Sequence, residues 1–255
     1  AAEFIAAVQP LADRRRSQGL RVRVVDVDDV YALFNGGIFH PEAIRAFAAH
    51  AYDNWPDPNP AYFFLVGDGN FNFKGYNSEG YGAAPTWMPP YLEFADPDQG
   101  EVAVDSRFGD VDGDGAPEVM VGRVPASTVA QVQGFVAKAL AYESAPDAPW
   151  MERALMVADD GKTENENFSG ILDGLAGYLP TGMEVSKVYL ENFCAPPSFN
   201  PCLSATHALT RAWNEGAVLL TYAGHAAPWQ WADEPLIYNT QLTGLTNTTA
   251  LPFLI

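Results

Sequence analysis

The sequence predicts an α/β fold built as two successive subdomains, with mostly parallel sheets flanked by helices. Two observations carry that prediction. Short apolar runs, bounded by glycine, proline or acidic residues, recur at residues 61–66 (AYFFLV), 153–158 (RALMVA) and 217–222 (AVLLTY). Runs of this length fit strands buried on both faces of a parallel sheet. Between them lie segments whose apolar residues follow helical spacing, and strand–helix alternation is the pattern of α/β proteins.

Each element follows from local signals. Residues 2–18 carry Phe4, Ile5, Val8 and Leu11 at helical spacing; Arg14, Arg15 and Arg16 suit the carbonyl end of that helix, and Gly19 stops it. Residues 21–27 alternate and turn apolar, which predicts a strand. Asn35-Gly36-Gly37 reads as a loop. Pro41 opens a helix to about residue 54, with Ile44, Phe47, Ala48 and Ala51 on one face. Pro56, Pro58 and Pro60 break it before the strand at 61–66. Residues 67–100 are rich in Gly, Asn, Pro and aromatics and show little periodicity, a stretch that in a compact domain is functional or wrapped over a core. A strand is predicted at 118–122. A helix to about residue 143 follows, opened by Thr128 and Gln131 as a capping box.

Residues 144–150 (SAPDAPW) form the predicted boundary between subdomains 1–145 and 146–255. The second half restarts the rhythm with the strand at 153–158. Thr163 and Glu166 resemble a capping box for a helix carrying Phe168, Ile171, Leu172 and Leu175. A strand is predicted at 183–189 and a helix from Ser204, its cap, to about residue 214. After the strand at 217–222 come a short helix or turn at 239–245 and the start of another strand at 252–255.

Composition narrows the function. Acids outnumber bases 32 to 14, for a formal net charge of -18. Such a field repels nucleic acid and anionic membranes, so both are excluded as partners, and it suits a secreted or surface protein that holds cations. Hydrophobic residues make up 48% of the chain, enough for a real core, and no apolar run has the length of a spanning helix. The two cysteines, Cys194 and Cys202, sit in CAPPSFNPC. A local disulfide is expected there, which would indicate an oxidising compartment.

Two constellations carry chemistry. His225 follows the strand at 217–222 directly after Gly224, and Asp159 and Asp160 follow the strand at 153–158. Chemistry in α/β sheets gathers past the carboxyl ends of strands. If those strands are neighbours, one of the two carboxylates can orient the imidazole for proton transfer. No Ser, Thr or Cys sits past a predicted strand end as nucleophile. Trp229 and Trp231 are candidates to line a substrate cleft or to pack. The second constellation is GDVDGDGAPE at 109–118, where Asp110, Asp112 and Asp114 alternate as in the opening of a calcium loop. Position twelve of such a loop is Val121, so Glu118 is the nearest further acidic ligand. Gly67-Asp68-Gly69 lacks the Lys and Ser/Thr of a phosphate loop. A serine hydrolase would need Gly-x-Ser-x-Gly, which is absent.

These residues resemble the gingipain family of cysteine peptidases. The resemblance runs through Gln18-Gly19-Leu20-Arg21-Val22, Pro41 to Arg45, Phe64 to Asp68, Val121 to Pro125 and Lys138 to Glu143. Its most specific parts are Tyr222-Ala223-Gly224-His225, Trp231-Ala232 and Leu251-Pro252-Phe253; Ala226 departs from the family's Gly-His-Gly. The resemblance implies a caspase-like α/β fold and a secreted endopeptidase acting on protein or peptide substrates. It implies that His225 is catalytic and that Asp159 or Asp160 orients it. It places the catalytic cysteine a few residues past the Leu-Pro-Phe strand, beyond Ile255, so that residues 1–255 alone would be inactive and the remainder of the chain is a partner of this part. The competing expectation is a non-catalytic peptidase-like surface or adhesion domain stabilised by calcium.

Overall fold

A computed structural model describes residues 1–76, 86–97, 100–161, 166–194 and 200–255. The chain forms two compact units, residues 1–140 and 141–255.

The first unit contains helices α1 (Ile5–Ser17), α2 (Val27–Phe34), α3 (Pro41–Asn54) and α4 (Val129–Glu143, whose last turn enters the second unit). Strands β1 (Tyr62–Val66) and β4 (Met120–Val124) pair in parallel, whereas β2 (Leu92–Asp96) and β3 (Gly100–Ala103) pair antiparallel at the end of the stretch that shows little periodicity. Side chains of a strand alternate between faces. Accordingly Leu65 joins a core with Val27, Val30, Ile44 and Phe108, while Val66 packs against a separate core of Phe4, Leu11, Val132 and Val136. Thr128 and Gln131 form the expected capping box: Gln131 N–H donates to Thr128 Oγ1 at 3.2 Å, and Thr128 N–H donates to Gln131 Oε1 at 3.1 Å.

The strand expected at 21–27 is not formed. Residues 21–26 lie outside any strand and Val27 starts α2, because Asp26 accepts a bond from Asp28 N–H and acts as a helix cap. The Arg16 and Arg21 side chains reach carbonyls of Val22, Pro56 and Pro58, holding the segment without a ladder.

In the second unit, β5 (Arg153–Ala158), β6 (Glu184–Tyr189), β7 (Leu219–Ala223) and β11 (Phe253–Leu254) make a parallel sheet in the order β11-β7-β5-β6. Helix α5 (Phe168–Ala176) shares a core with Ala154, Met156 and Ala158, and α6 (Leu203–Glu215) shares another with Leu155 and Val157. The alternation along β5 therefore places the two helices on opposite faces of the sheet. Gly216, at φ 84, ends α6 in a backbone conformation that glycine adopts freely. Strands β8 (Ala226–Ala227), β9 (Gln230–Trp231) and β10 (Ile237–Tyr238) form a small antiparallel meander, followed by a 3-10 helix at Asn239–Gly244.

Two predicted caps differ. Helix α5 is capped by Asn167, which accepts from Gly170 N–H at 2.8 Å; Glu166 precedes the cap, and Thr163 lies outside the described residues. Helix α6 starts at Leu203 after Cys202, so Ser204 is inside it and its hydroxyl lies near sulfur instead. Cys194 and Cys202 are joined in a disulfide, with Cα atoms 6.1 Å apart. No helix among the described residues is long and apolar enough to cross a membrane.

Candidate active site

Strand order places the site. From β5 the chain passes through α5 to β6 on one side; from β6 it passes through α6 to β7 on the other. Connections that diverge this way open a crevice at the carboxyl ends of the two strands they leave between them. Ala158 and Ala223 are register partners, and Asp159 N–H continues the ladder to the Ala223 carbonyl at 3.0 Å. Asp159 is thus the first residue out of β5, and His225 is the second out of β7.

Gly224 lets them meet. A side chain at this position would run into Asp159 Cβ and come within 2.7 Å of the Tyr222 hydroxyl. With none there, Asp159 Oδ2 accepts two bonds from His225. The backbone N–H donates at 2.9 Å, and ring Nδ1 lies 3.0 Å away. Asp159 is 2% exposed and the imidazole 37%. A carboxylate on Nδ1 assigns the proton to that nitrogen and leaves Nε2 as the accessible base. Glu166 Oε1 lies 3.9 Å from Nε2, and the Phe168 ring stands edge-on to the imidazole at 5.4 Å.

The loop after His225 is pinned from inside. The Tyr222 hydroxyl donates to the His225 carbonyl at 2.6 Å and accepts from Ala232 N–H at 3.0 Å. Burial, reinforced by the charge of Asp159, pushes the Tyr222 phenol well above its ordinary pKa, so it stays a donor. Ala232 is buried at φ 62, a left-handed conformation unusual for alanine, and its N–H also bonds the His225 carbonyl. Ala226 pairs with Trp231 in the meander and is exposed, so an alanine fits where the family pattern has glycine.

Of the two acidic candidates, geometry selects Asp159 as the imidazole's partner. Asp160 is buried with Asp159 and Glu234, one carboxylate oxygen of each lying within 4.8 Å of the others. Trp231 stacks between Tyr222 and Trp213, at 4.5 and 5.8 Å, so its ring faces are spent on packing; Trp229 is 57% exposed. Both cysteines are oxidised together, so neither offers a thiolate.

The aspartate loop of the first unit is shaped by its own backbone. Asp110 is buried, accepts from Gly113 and Gly115 N–H, and pairs with Arg107 at 2.5 Å. Carboxylate oxygens of Asp110, Asp112 and Glu118 lie within 4.8 Å of one another. Asp114 is outside that group and accepts from Ala116 N–H.

Comparison with known proteins decides the family. The model of peptidase family C25 matches residues 1–255. The chain belongs to peptidase family C25. It is 30% identical over 147 residues to Lys-gingipain W83 of Porphyromonas gingivalis, covering 56% of this chain and 8% of that protein. Among solved structures, this C25 chain resembles the complex of Porphyromonas gingivalis RgpB pro- and mature domains, with a TM-score of 0.68, 20% identity, and coverage of 98% of this chain and 52% of the other. A second structure, described as a protease, matches with a TM-score of 0.70, 22% identity, and coverage of 100% and 50%. The fold is therefore the gingipain-like α/β fold expected from the sequence, and the chain spans about half the length of these solved relatives.

Proposed function

We propose that this chain forms the acid–base part of a secreted cysteine endopeptidase whose nucleophilic thiol follows β11, C-terminal to Ile255. The observation that carries this reading is the contact between Asp159 Oδ2 and His225 Nδ1 at the switch point of a C25-family sheet. Strand β11 runs parallel to β7, with Ile255 N–H bonded to the Leu220 carbonyl. A residue just beyond Ile255 would emerge at the same sheet end as His225.

The steps follow from that placement. His225 Nε2 takes the thiol proton, and the thiolate attacks the peptide carbonyl carbon to form a tetrahedral oxyanion held by backbone N–H groups. Imidazolium returns the proton to the leaving amine as the C–N bond breaks. Water then adds to the thioester with His225 as base, releasing the carboxylate product and restoring the thiol. Throughout, Asp159 holds the imidazole's tautomer and orientation. Trp229, exposed beside this loop, is the proposed contact for substrate. The disulfide and the net charge of -18 support export.

The test is labelling of the intact source protein with a thiol-directed peptidyl ketone, followed by peptide mapping. Label on a cysteine shortly after Ile255 supports the assignment. A protein with no cysteine there, or no labelling, would make it a non-catalytic relative.

We also propose that Asp110, Asp112 and Glu118 hold a calcium ion, which would supply charge neutralisation and a structural clip, not chemistry. Support comes from the proximity of three carboxylates on a loop already curled by backbone bonds to them. Chelator is expected to lower the melting midpoint by about 5 °C, the scale for an ion bound at a hundredfold excess over Kd. Thermal melts with and without EDTA check this; an unchanged midpoint rejects the ion.

A further inference from the structure

Asp160 is a buried acid without a role in the mechanism above. Its neighbours Asp159 and Glu234 are buried too, at 2% and 6% exposure against 7% for Asp160 itself. Three carboxyl groups this close, and out of water, strongly oppose one another's ionisation. Asp159 adds an independent irregularity. Its Oδ2 receives two bonds from His225, yet its Oδ1 is buried and no hydrogen bond from the described residues reaches it. A buried acceptor without a donor calls for explanation.

One proton resolves both features. On Asp160 it removes a charge from the cluster and makes that carboxyl, one oxygen of which lies within 4.8 Å of an Asp159 oxygen, a donor available to it. We propose that Asp160 is a positioning residue that carries a proton at mildly acidic pH and donates it to Asp159, so that Asp159 is held by Asp160 as well as by His225. This inference rests on Asp159 being the group that orients His225.

The groups facing Asp160 fix the sign. They are Asp159 on the same segment and Glu234 within the meander, between β9 and β10, with Asp233, the Tyr222 phenol and the imidazole of His225 nearby. Burial first, then Glu234 and Asp159, push the Asp160 carboxyl up to about 6, against roughly 3.9 in an unfolded chain. The folded state keeps this proton to higher pH than the unfolded chain does. The contribution to stability is therefore fullest below the unfolded value and is lost as pH rises to about 6; above that, the ionised group is a constant penalty.

Thermal melts of the chain and its Asp160→Asn variant from about pH 4 to about pH 8 test this, since the amide mimics the protonated acid. The two are expected to melt together near the acid end. By the upper end the variant is expected to melt about 5 °C higher. A variant that melts lower throughout, or by an amount that ignores pH, overturns the proposal. So does a calcium response at neutral pH that Asp160→Asn abolishes, which would make the cluster a cation site. Should that variant not fold, Glu234→Gln is expected to move the pH-dependent fall of the wild type to lower pH, and an unmoved fall rejects the idea. Folding is the readout, so the answer does not depend on whether the protein hydrolyses peptides.

Discussion

Replacing His225 with alanine is expected to lower kcat/KM of the full-length peptidase by at least about a thousandfold while leaving the fold intact. The size follows from the proposed role: one imidazole would move the proton in every step, and loss of such a base would remove most of the chemical acceleration. The intact fold follows from the contacts. The ring is 37% exposed, and the backbone N–H of residue 225 still donates to Asp159 Oδ2 at 2.9 Å after the ring is gone. Asp159 therefore keeps one of its two donors. The midpoint of thermal unfolding should stay within a few degrees of wild type. Steady-state kinetics on a peptide substrate, run beside a melt, separates the outcomes. Activity that survives the substitution within tenfold would remove His225 from the mechanism, and a collapsed melt would make the kinetics uninformative.

Gly224→Ala should be among the most damaging single-methyl additions in the second unit. The new carbon has nowhere to go: Asp159 Cβ blocks it, and the Tyr222 hydroxyl and ring lie at 2.7 and 3.0 Å. Those atoms belong to β5, β7 and their ends, which are register-locked and cannot give. Overpacking of this kind costs about 1–3 kcal/mol where neighbours can shift, and the upper end applies where they cannot. The displaced group would be Asp159, so activity should fall together with stability. Gly244→Ala is the control, because nothing lies within 4 Å of its added carbon. Urea unfolding of both variants gives the comparison; equal stability would mean that the β5–β7 junction is softer than its contacts indicate.

Much of this was legible in the sequence, for physical reasons that differ by element. The strands β5 and β7 announce themselves because a strand buried on both faces must be apolar throughout. Asp159 and His225 could be placed at their ends, since strand ends are marked by the first residues that apolar surroundings cannot hold. Choosing Asp159 over Asp160 needed the register, because adjacent residues leave a strand on opposite sides. Tyr222 and Ala232 stand in the motifs that carry the resemblance, but their roles were missed, as was Glu234. Their roles come from the short meander of residues 226–238 folding back on His225, and two-residue strands carry no periodicity to read. Tyr222 did carry a weak signal, as a polar-tipped aromatic at the end of an apolar run. The strand expected at 21–27 failed for a local reason: alternation was present, but Asp26 is a stronger helix-start signal than alternation is a strand signal.

The double bond from one residue to one oxygen has a further consequence. Backbone and side chain of His225 both grip Asp159 Oδ2, which closes a small ring and fixes the imidazole by two coordinates measured from the β5 end. The reference frame of the base is thus the sheet, not the loop that follows it. Residues of that loop other than Ala232, whose N–H bonds the His225 carbonyl, can change composition without loosening this grip on Nδ1. Substrate preference and proton transfer are in this way mechanically separable: the first can drift over evolutionary time in the loop while the second stays anchored to the sheet.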